Sequence, residues 1–174
     1  MHIHQKGIEK AMKWLLPALV MIAVPQLCLA ENEVSKGAKN AGVLTCLKIV
    51  TGMSDFVLKG AAHGAHNVWN NDDPNKRMYE SLTIKSYSDG NAQVVFTAAP
   101  NLAGTCDISS IETSVMPGSC LTVRDKVFEG WVYKGEVQGT AILANKGGAL
   151  NAYLTPQLDN SACMVSKREV VFGS

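Results

Sequence analysis

The spacing of apolar residues changes once along this chain, near residue 60, and this change constrains the fold more than any other feature. From Ala41 to Leu58 the apolar residues recur every three or four positions, which is typical of an amphipathic helix with one buried face. Gly60 after Lys59 is an expected helix stop. Beyond residue 78 apolar and polar residues alternate, as on a strand with one buried side. The chain is therefore predicted to be α+β, with one N-terminal helix packed on an antiparallel sheet of about six strands.

A hairpin is predicted where this alternation begins. Leu82 and Ile84 alternate with polar residues, and a turn around Gly90 leads back through Val94 and Phe96. We expect the helix to cover the face that carries these four apolar side chains.

The remaining segments are assigned from turn-forming residues. Residues 31–40 and 61–76 are predicted to be polar and irregular, and residues 100–119 to be a turn-rich excursion. Gly135 and residues 145–148 are predicted turns. The further strands are predicted at Ser119–Arg124, Val127–Lys134, Val137–Ala144, Ala149–Thr155 and Cys163–Phe172.

The first 30 residues have the features of a secretory signal peptide. Three lysines precede the apolar run Trp14–Val24, and the small residue Ala30 ends the segment before an acidic stretch. This run is too short for a membrane span, which needs about 20 residues. Cys28 lies near the cleavage site, but the large Leu27 before it disfavours a lipid anchor. We expect residues 1–30 to be cleaved and the protein to be periplasmic or secreted.

Residues 31–174, which we predict to be a single α+β domain, carry no strong charge excess. The whole chain has 16 basic and 15 acidic residues, and removing three lysines and Glu9 with the signal segment leaves 13 and 14. Nucleic-acid binding needs a clustered basic face, and binding to a membrane surface needs a basic amphipathic helix. Neither pattern occurs in the sequence, so we predict no nucleic-acid partner. We also predict no membrane span after cleavage.

Four cysteines remain after the predicted cleavage. An even number in an exported chain is interpreted first as two disulfides, and four cysteines allow three pairings. We prefer Cys106 with Cys120, which closes a short loop, and Cys46 with Cys163, which ties the helix to the last strand. Because Cys-x-x-Cys does not occur, a redox centre and a four-cysteine zinc site are both disfavoured.

His63 and His66 are weak candidates for metal ligands, with Asp72 as a nearby carboxylate. On a helical turn, a spacing of three residues would place both imidazoles on one side. A stable metal site needs three or four ligands, and a motif such as His-Glu-x-x-His is absent from the sequence. We therefore predict no metal and no cofactor.

Catalytic motifs are also missing from the sequence. Gly-x-Ser-x-Gly does not occur, and no glycine-rich loop leads from a strand into a helix. Glu129 is the best single acid, but hydrolysis of glycosides needs two carboxyl groups. An enzyme is thus less favoured than a binding protein.

Trp69, Trp131 and Tyr133 are the strongest candidates for binding residues, because tryptophan and tyrosine are enriched at protein interfaces. We predict an exported protein-binding module, such as an inhibitor, an immunity protein or an envelope adaptor, with a protein partner in the cell envelope. Two alternatives stay open. One is a small periplasmic hydrolase or metal-dependent enzyme that uses the segment His63–Asp73, and the other is a carrier of a small apolar ligand.

Overall fold

The computed structural model describes residues 31–173, and the predicted signal peptide lies outside this range. These residues form three helices and one antiparallel sheet of eight strands. The helices are α1 (Glu33–Asn40), α2 (Leu47–Leu58) and α3 (Cys120–Val127). The strands are β1 (His63–Val68), β2 (Tyr79–Tyr87), β3 (Gly90–Pro100), β4 (Cys106–Pro117), β5 (Val132–Val137), β6 (Thr140–Ala144), β7 (Leu150–Gln157) and β8 (Ala162–Val171).

The order of strands across the sheet is β1-β2-β3-β4-β8-β7-β6-β5, so β4 and β8 meet in the centre. The predicted α+β class and the antiparallel sheet are confirmed. The expected number of strands, about six, is wrong, and so is the single N-terminal helix. Both errors have a common origin. The elements α1, β1 and β4 lie in segments that were predicted to be irregular, and α3 lies where strands were predicted.

Helix α1 occupies a segment that was predicted to be loose. The side-chain oxygen of Asn32 accepts hydrogen bonds from the backbone N–H groups of Val34 and Ser35, which caps the helix N-terminus. The Asn32 amide nitrogen donates to Ser54 in α2, so one side chain joins the two helices. Val34 and Ala38 are fully buried in the core. Two apolar residues four positions apart thus suffice to bury this short helix.

Helix α3 lies where strands had been predicted at residues 119–124 and 127–134. Its N-cap is Ser119, whose hydroxyl accepts a hydrogen bond from the N–H of Thr122. Cys120 and Val123 are buried in a second core cluster, under the strands β7 and β8. A serine cap followed by buried residues three apart indicates a helix, and the sequence interpretation missed it. Glu129 therefore lies between α3 and β5, not on a strand.

The long strand β4 replaces the predicted excursion, and this explains why the predicted disulfide pairing is wrong. The observed disulfides join Cys46 to Cys106 and Cys120 to Cys163. Cys106 begins a strand of 12 residues, and Cys120 follows its far end. At about 3.3 Å per residue the two cysteines are roughly 35–40 Å apart, far beyond disulfide reach.

The two disulfides occupy equivalent places in two similar halves of the chain. Each half has helical structure followed by a four-stranded meander, β1–β4 in the first and β5–β8 in the second. In each half a cysteine at the start of a helix bonds to a cysteine at the start of the fourth strand. The pairing of β4 with β8 joins the halves into one sheet. The order of elements thus repeats although the sequence shows no internal repeat.

The hairpin of β2 and β3 is confirmed, with Tyr87 opposite Gly90. The predicted buried face of β2 is wrong. Val94 and Phe96 are fully buried beneath the helices, as predicted, but Leu82 and Ile84 lie on the other face and are exposed. The residues of β2 that face the helices are Tyr79, Ser81, Thr83 and Lys85.

The turn between β5 and β6 is formed by Gln138 and Gly139, both with positive φ, rather than by the predicted Gly135. Gly135 instead lies beside an irregularity in the register of β5. The predicted turn at residues 145–148 is confirmed between β6 and β7. Within residues 31–173 no helix has the length and hydropathy required to cross a membrane.

Candidate functional site

All three helices lie on one side of the sheet, and the opposite side is the candidate site, which we call the open face. Helix α2 contacts β3 and β4, while α3 contacts β7 and β8. Val165 of the second core is the cross-strand partner of Ser114, which is six positions along β4 from Ile108 of the first core, so both cores lie on the same side of the sheet. The alternate residues of each strand therefore form the open face.

Apolar side chains run across the open face without a covering element. In the central row of cross-strand partners, Leu82 lies opposite Val95, which lies opposite Ile111. Val115 and Met164 are partners further along β4 and β8. Leu82, Ile111 and Val115 are 40%, 39% and 65% exposed, respectively. The pair Thr113 and Ser166, whose hydroxyls are hydrogen-bonded, separates these two apolar groups. Exposed apolar residues that lie together mark a binding site more often than isolated ones do.

Arg168 lies at the end of the apolar row formed by Leu82, Val95 and Ile111. It follows Ile111 in the same row and is flanked on the other side by Asn151. Its side chain is exposed and forms no ion pair with any residue between 31 and 173. On the four central strands the other charged residue of the open face is Asp107, whose carboxylate accepts hydrogen bonds from Asn101 and the N–H of Gly173. Arg168 is therefore an available cation beside this apolar row.

The three aromatic residues predicted to bind a partner do not lie together. Trp69 follows β1 at one edge of the sheet, whereas Trp131 and Tyr133 are at the other edge, beside or within β5. Trp69 is 37% exposed and Tyr133 is 56% exposed. Tyr133 is opposite Leu143 and so lies on the helix side of the sheet. Trp131 is half-buried against the second core cluster, with its ring 5.0 Å from that of Phe128.

We expect Trp131→Ala to lower the free energy of unfolding by about 2 kcal/mol, because it removes a partly buried ring from the second core. Tyr133→Ala is the matched control, since this exposed ring is expected to contribute less than about 1 kcal/mol. Urea denaturation of both variants measures the difference. Equal losses would show that Trp131 packs no more tightly than an edge residue.

The histidines do not share one side of a helical turn. They lie on the edge strand β1, where residues three apart point to opposite faces. His63 is on the helix side, where its Nδ1 lies 2.7 Å from the carbonyl oxygen of Ala61 and its Nε2 accepts a hydrogen bond from the N–H of Glu33. His66 is exposed on the open face, opposite Leu82. Among residues 31–173 no group of three or more His, Cys, Asp or Glu side chains is placed to hold a metal ion.

Searches of family models, of curated proteins and of solved structures found no match to this chain.

A group of charged and polar residues around a buried carboxylate lies on the helix side, and the sequence interpretation missed it. Glu112 on β4 is 3.4 Å from the ammonium of Lys85 and 3.0 Å from that of Lys167, and it accepts a hydrogen bond from the hydroxyl of Tyr87. Lys85 also donates to the carbonyl oxygen of Val57 at the end of α2, at 2.7 Å. Lys85 and Glu112 are buried, whereas Tyr87 and Lys167 are partly exposed. We call these four side chains, Lys85, Tyr87, Glu112 and Lys167, the ionic cluster.

The cluster shifts the proton affinities of its members. Burial lowers the pKa of Lys85, and the negative charge of Glu112 offsets this only in part. Burial would raise the pKa of Glu112, but hydrogen bonds from Tyr87 and Lys167 and the charges of both lysines outweigh it and hold this pKa below its usual value. Burial and the bond to Glu112 raise the pKa of Tyr87. The cluster thus favours an ionised carboxylate beneath the helices.

Neither Arg168 nor the ionic cluster has a motif that would have identified it. The signal that was present is alternation: Ser81, Thr83 and Lys85 occupy every second position of β2, opposite to Leu82 and Ile84. The apolar set was assigned to the core because buried positions are usually apolar. Here small hydroxyl groups and a paired lysine take the buried positions, so the face assignment is reversed.

Proposed function

We propose that this chain is an exported protein-recognition module that binds its partner through the open face. The observation that carries the proposal is the exposed Arg168 at the end of the apolar row Leu82, Val95 and Ile111, on a sheet face that no element of residues 31–173 covers. Interfaces with this composition have apolar anchors and arginine at their centres. The two disulfides support export, because disulfides persist in oxidising compartments such as the periplasm.

The partner that fits this surface is a folded protein with an apolar patch and an acidic side chain beside it. A carboxylate opposite Arg168 would form a charge-assisted pair, flanked by apolar contacts that exclude water. A second copy of this chain fits less well. A face-to-face twofold dimer centred near Arg168 would bring the two Arg168 side chains together, and like charges repel.

We expect Arg168→Glu to weaken binding of the partner at least roughly thirtyfold, as when an interface anchor is lost. The partner is first captured from envelope extract with the disulfide-bonded protein and then purified for calorimetric titration. Lys126→Glu is the matched control, because this exposed residue of α3 lies on the other side of the sheet and has the same charge change. Its affinity is expected to stay within about twofold of wild type.

Three outcomes would contradict this proposal. The first is a partner that binds Arg168→Glu and wild type equally. The second is self-association of the purified chain that Arg168→Glu abolishes, which would place a second copy on the open face. The third is stoichiometric zinc in the purified protein, which would favour the metal-dependent alternative. Hydrogen exchange of the complex should protect β4 and β8 if the proposal holds.

A further inference from the structure

A cavity of about 370 Å³ opens on the helix side of the sheet, between the end of α2 and the central strands. The cavity and the open face lie on opposite sides of the sheet. An experiment on ligand binding in the cavity therefore does not test partner binding at the open face. Polar groups line its floor, and they belong to Lys85, Tyr87, Ser110, Glu112 and Lys167. Apolar side chains line its walls, among them Phe56, Leu58 and Leu150. A volume of this size and a mixed lining are typical of sites for small organic molecules.

Two acceptor groups of the cavity, the Glu112 carboxylate and the Val57 carbonyl, already receive donors. One oxygen of Glu112 accepts from Tyr87 and Lys85, and the other is 3.0 Å from the Lys167 ammonium. The carbonyl oxygen of Val57 accepts from Lys85. A ligand donor directed at either of these two groups would therefore compete with an existing contact.

Donor groups, in contrast, remain in excess. An ammonium has three N–H donors and no acceptor, so Lys85 and Lys167 together have more donors than Glu112 and Val57 can use. Ser110, which is only 3% exposed, lines the same cavity and carries a hydroxyl that can donate. Two lysines face one carboxylate, and Lys59 adds a third cation at the rim. Both the hydrogen bonding and the charge are thus complementary to an anion.

Glu169 is the other carboxyl group close to this cavity. It lies opposite Ser110 in the β4–β8 ladder but lines a neighbouring hollow of about 290 Å³, with Gly52 and Ile108. Burial raises its pKa, which favours the neutral form, and one of its oxygens has no partner within the described residues. It lines that hollow and not the larger cavity.

We propose that this cavity binds a small organic monocarboxylate. Its carboxylate group would accept hydrogen bonds from Lys167 and Ser110, and its apolar body would lie against Phe56 and Leu150. A bare inorganic anion would leave the apolar walls without a contact. A neutral molecule of the same shape would leave the spare donors unpaired, which costs affinity.

Calorimetric titration of the disulfide-bonded protein with octanoate tests this proposal. We expect one octanoate per chain, and binding of octanol and of inorganic phosphate at least about tenfold weaker. Lys167→Met should weaken octanoate binding at least about tenfold, because it removes the partly exposed cation. Lys126→Met, on the surface of α3, is the matched control and should change affinity less than about twofold.

Ser110→Ala keeps the test decisive if Lys167→Met fails to fold. Because it removes a single oxygen atom from the cavity lining, this variant should keep the melting temperature of the wild type and still weaken octanoate binding about threefold or more. The proposal is overturned if octanoate does not saturate the protein at millimolar concentration. It is equally overturned if octanol or phosphate binds as tightly, or if neither variant changes the affinity.

Discussion

Replacing Cys46 and Cys106 together by alanine is expected to lower the free energy of unfolding by about 4 kcal/mol. The chain-entropy model attributes this loss to the loop closed by the disulfide, whose ends are 60 residues apart. Both cysteines are buried in the first core cluster, so the double variant also avoids leaving a free thiol there. Guanidinium denaturation of oxidised wild type and variant measures the difference.

The double variant Cys120→Ala with Cys163→Ala is the matched comparison. Its loop is shorter, with a separation of 43 residues, so its loss should be equal or slightly smaller, again about 4 kcal/mol. Peptide mapping of the unreduced protein should recover the pairs Cys46–Cys106 and Cys120–Cys163. Recovery of Cys106 linked to Cys120 would contradict the structure, and a loss below about 1 kcal/mol in both variants would contradict the entropic argument.

Glu112→Gln is expected to lower the free energy of unfolding by about 3 kcal/mol at neutral pH. The substitution keeps the shape of the side chain but leaves the ammonium groups of Lys85 and Lys167 without a negative partner, and the side chain of Lys85 is only 6% exposed. Removing one member of a buried ion pair is costly because the remaining charge stays desolvated. Urea denaturation measures the loss.

The effect of Glu112→Gln should depend on pH in a defined direction. The pKa of Glu112 is lower in the folded chain than the ordinary value of 4.5. Its ionised form therefore stabilises the fold fully above that pH, and this contribution is lost as the pH falls through the folded pKa. The difference between wild type and variant should thus be largest near pH 7 and shrink below about pH 4.5.

Glu129→Gln is the control for this pH profile. Glu129 is exposed between α3 and β5, and its replacement should change stability by less than about 0.5 kcal/mol at any pH. A difference between wild type and Glu112→Gln that stayed constant from pH 7 to pH 3 would mean that the ionised carboxylate does not stabilise the cluster.

Local periodicity predicted part of this fold correctly. Val50, Met53 and Val57 have helical spacing, and all three are buried on α2. The hairpin of β2 and β3 and the turn at residues 145–148 also follow from their sequences, because turn residues and alternation act over a few positions. Short helices were missed, since α1 and α3 have eight residues each and too few turns to show a clear period.

The candidate site was predicted less well than the fold. Trp69, Trp131 and Tyr133 were chosen for their residue types, yet the sheet separates the first from the other two. Arg168 and Ile111 are adjacent only because β4 pairs with β8, and these strands are distant in sequence. A pattern that spans only a few neighbouring residues therefore cannot predict the pairing of β4 with β8.

The sequence by itself determined the α+β class, the antiparallel hairpin and the buried face of α2, because each depends on the order of apolar and polar residues within a few positions. Only the tertiary structure decided which cysteines bond, which face of β2 is buried and which side chains surround Arg168 and Glu112. These features depend on the register of β4 against β8 and on the placement of helices on one side of the sheet. Many chain-distant contacts set that register together, so it is not encoded in any single segment.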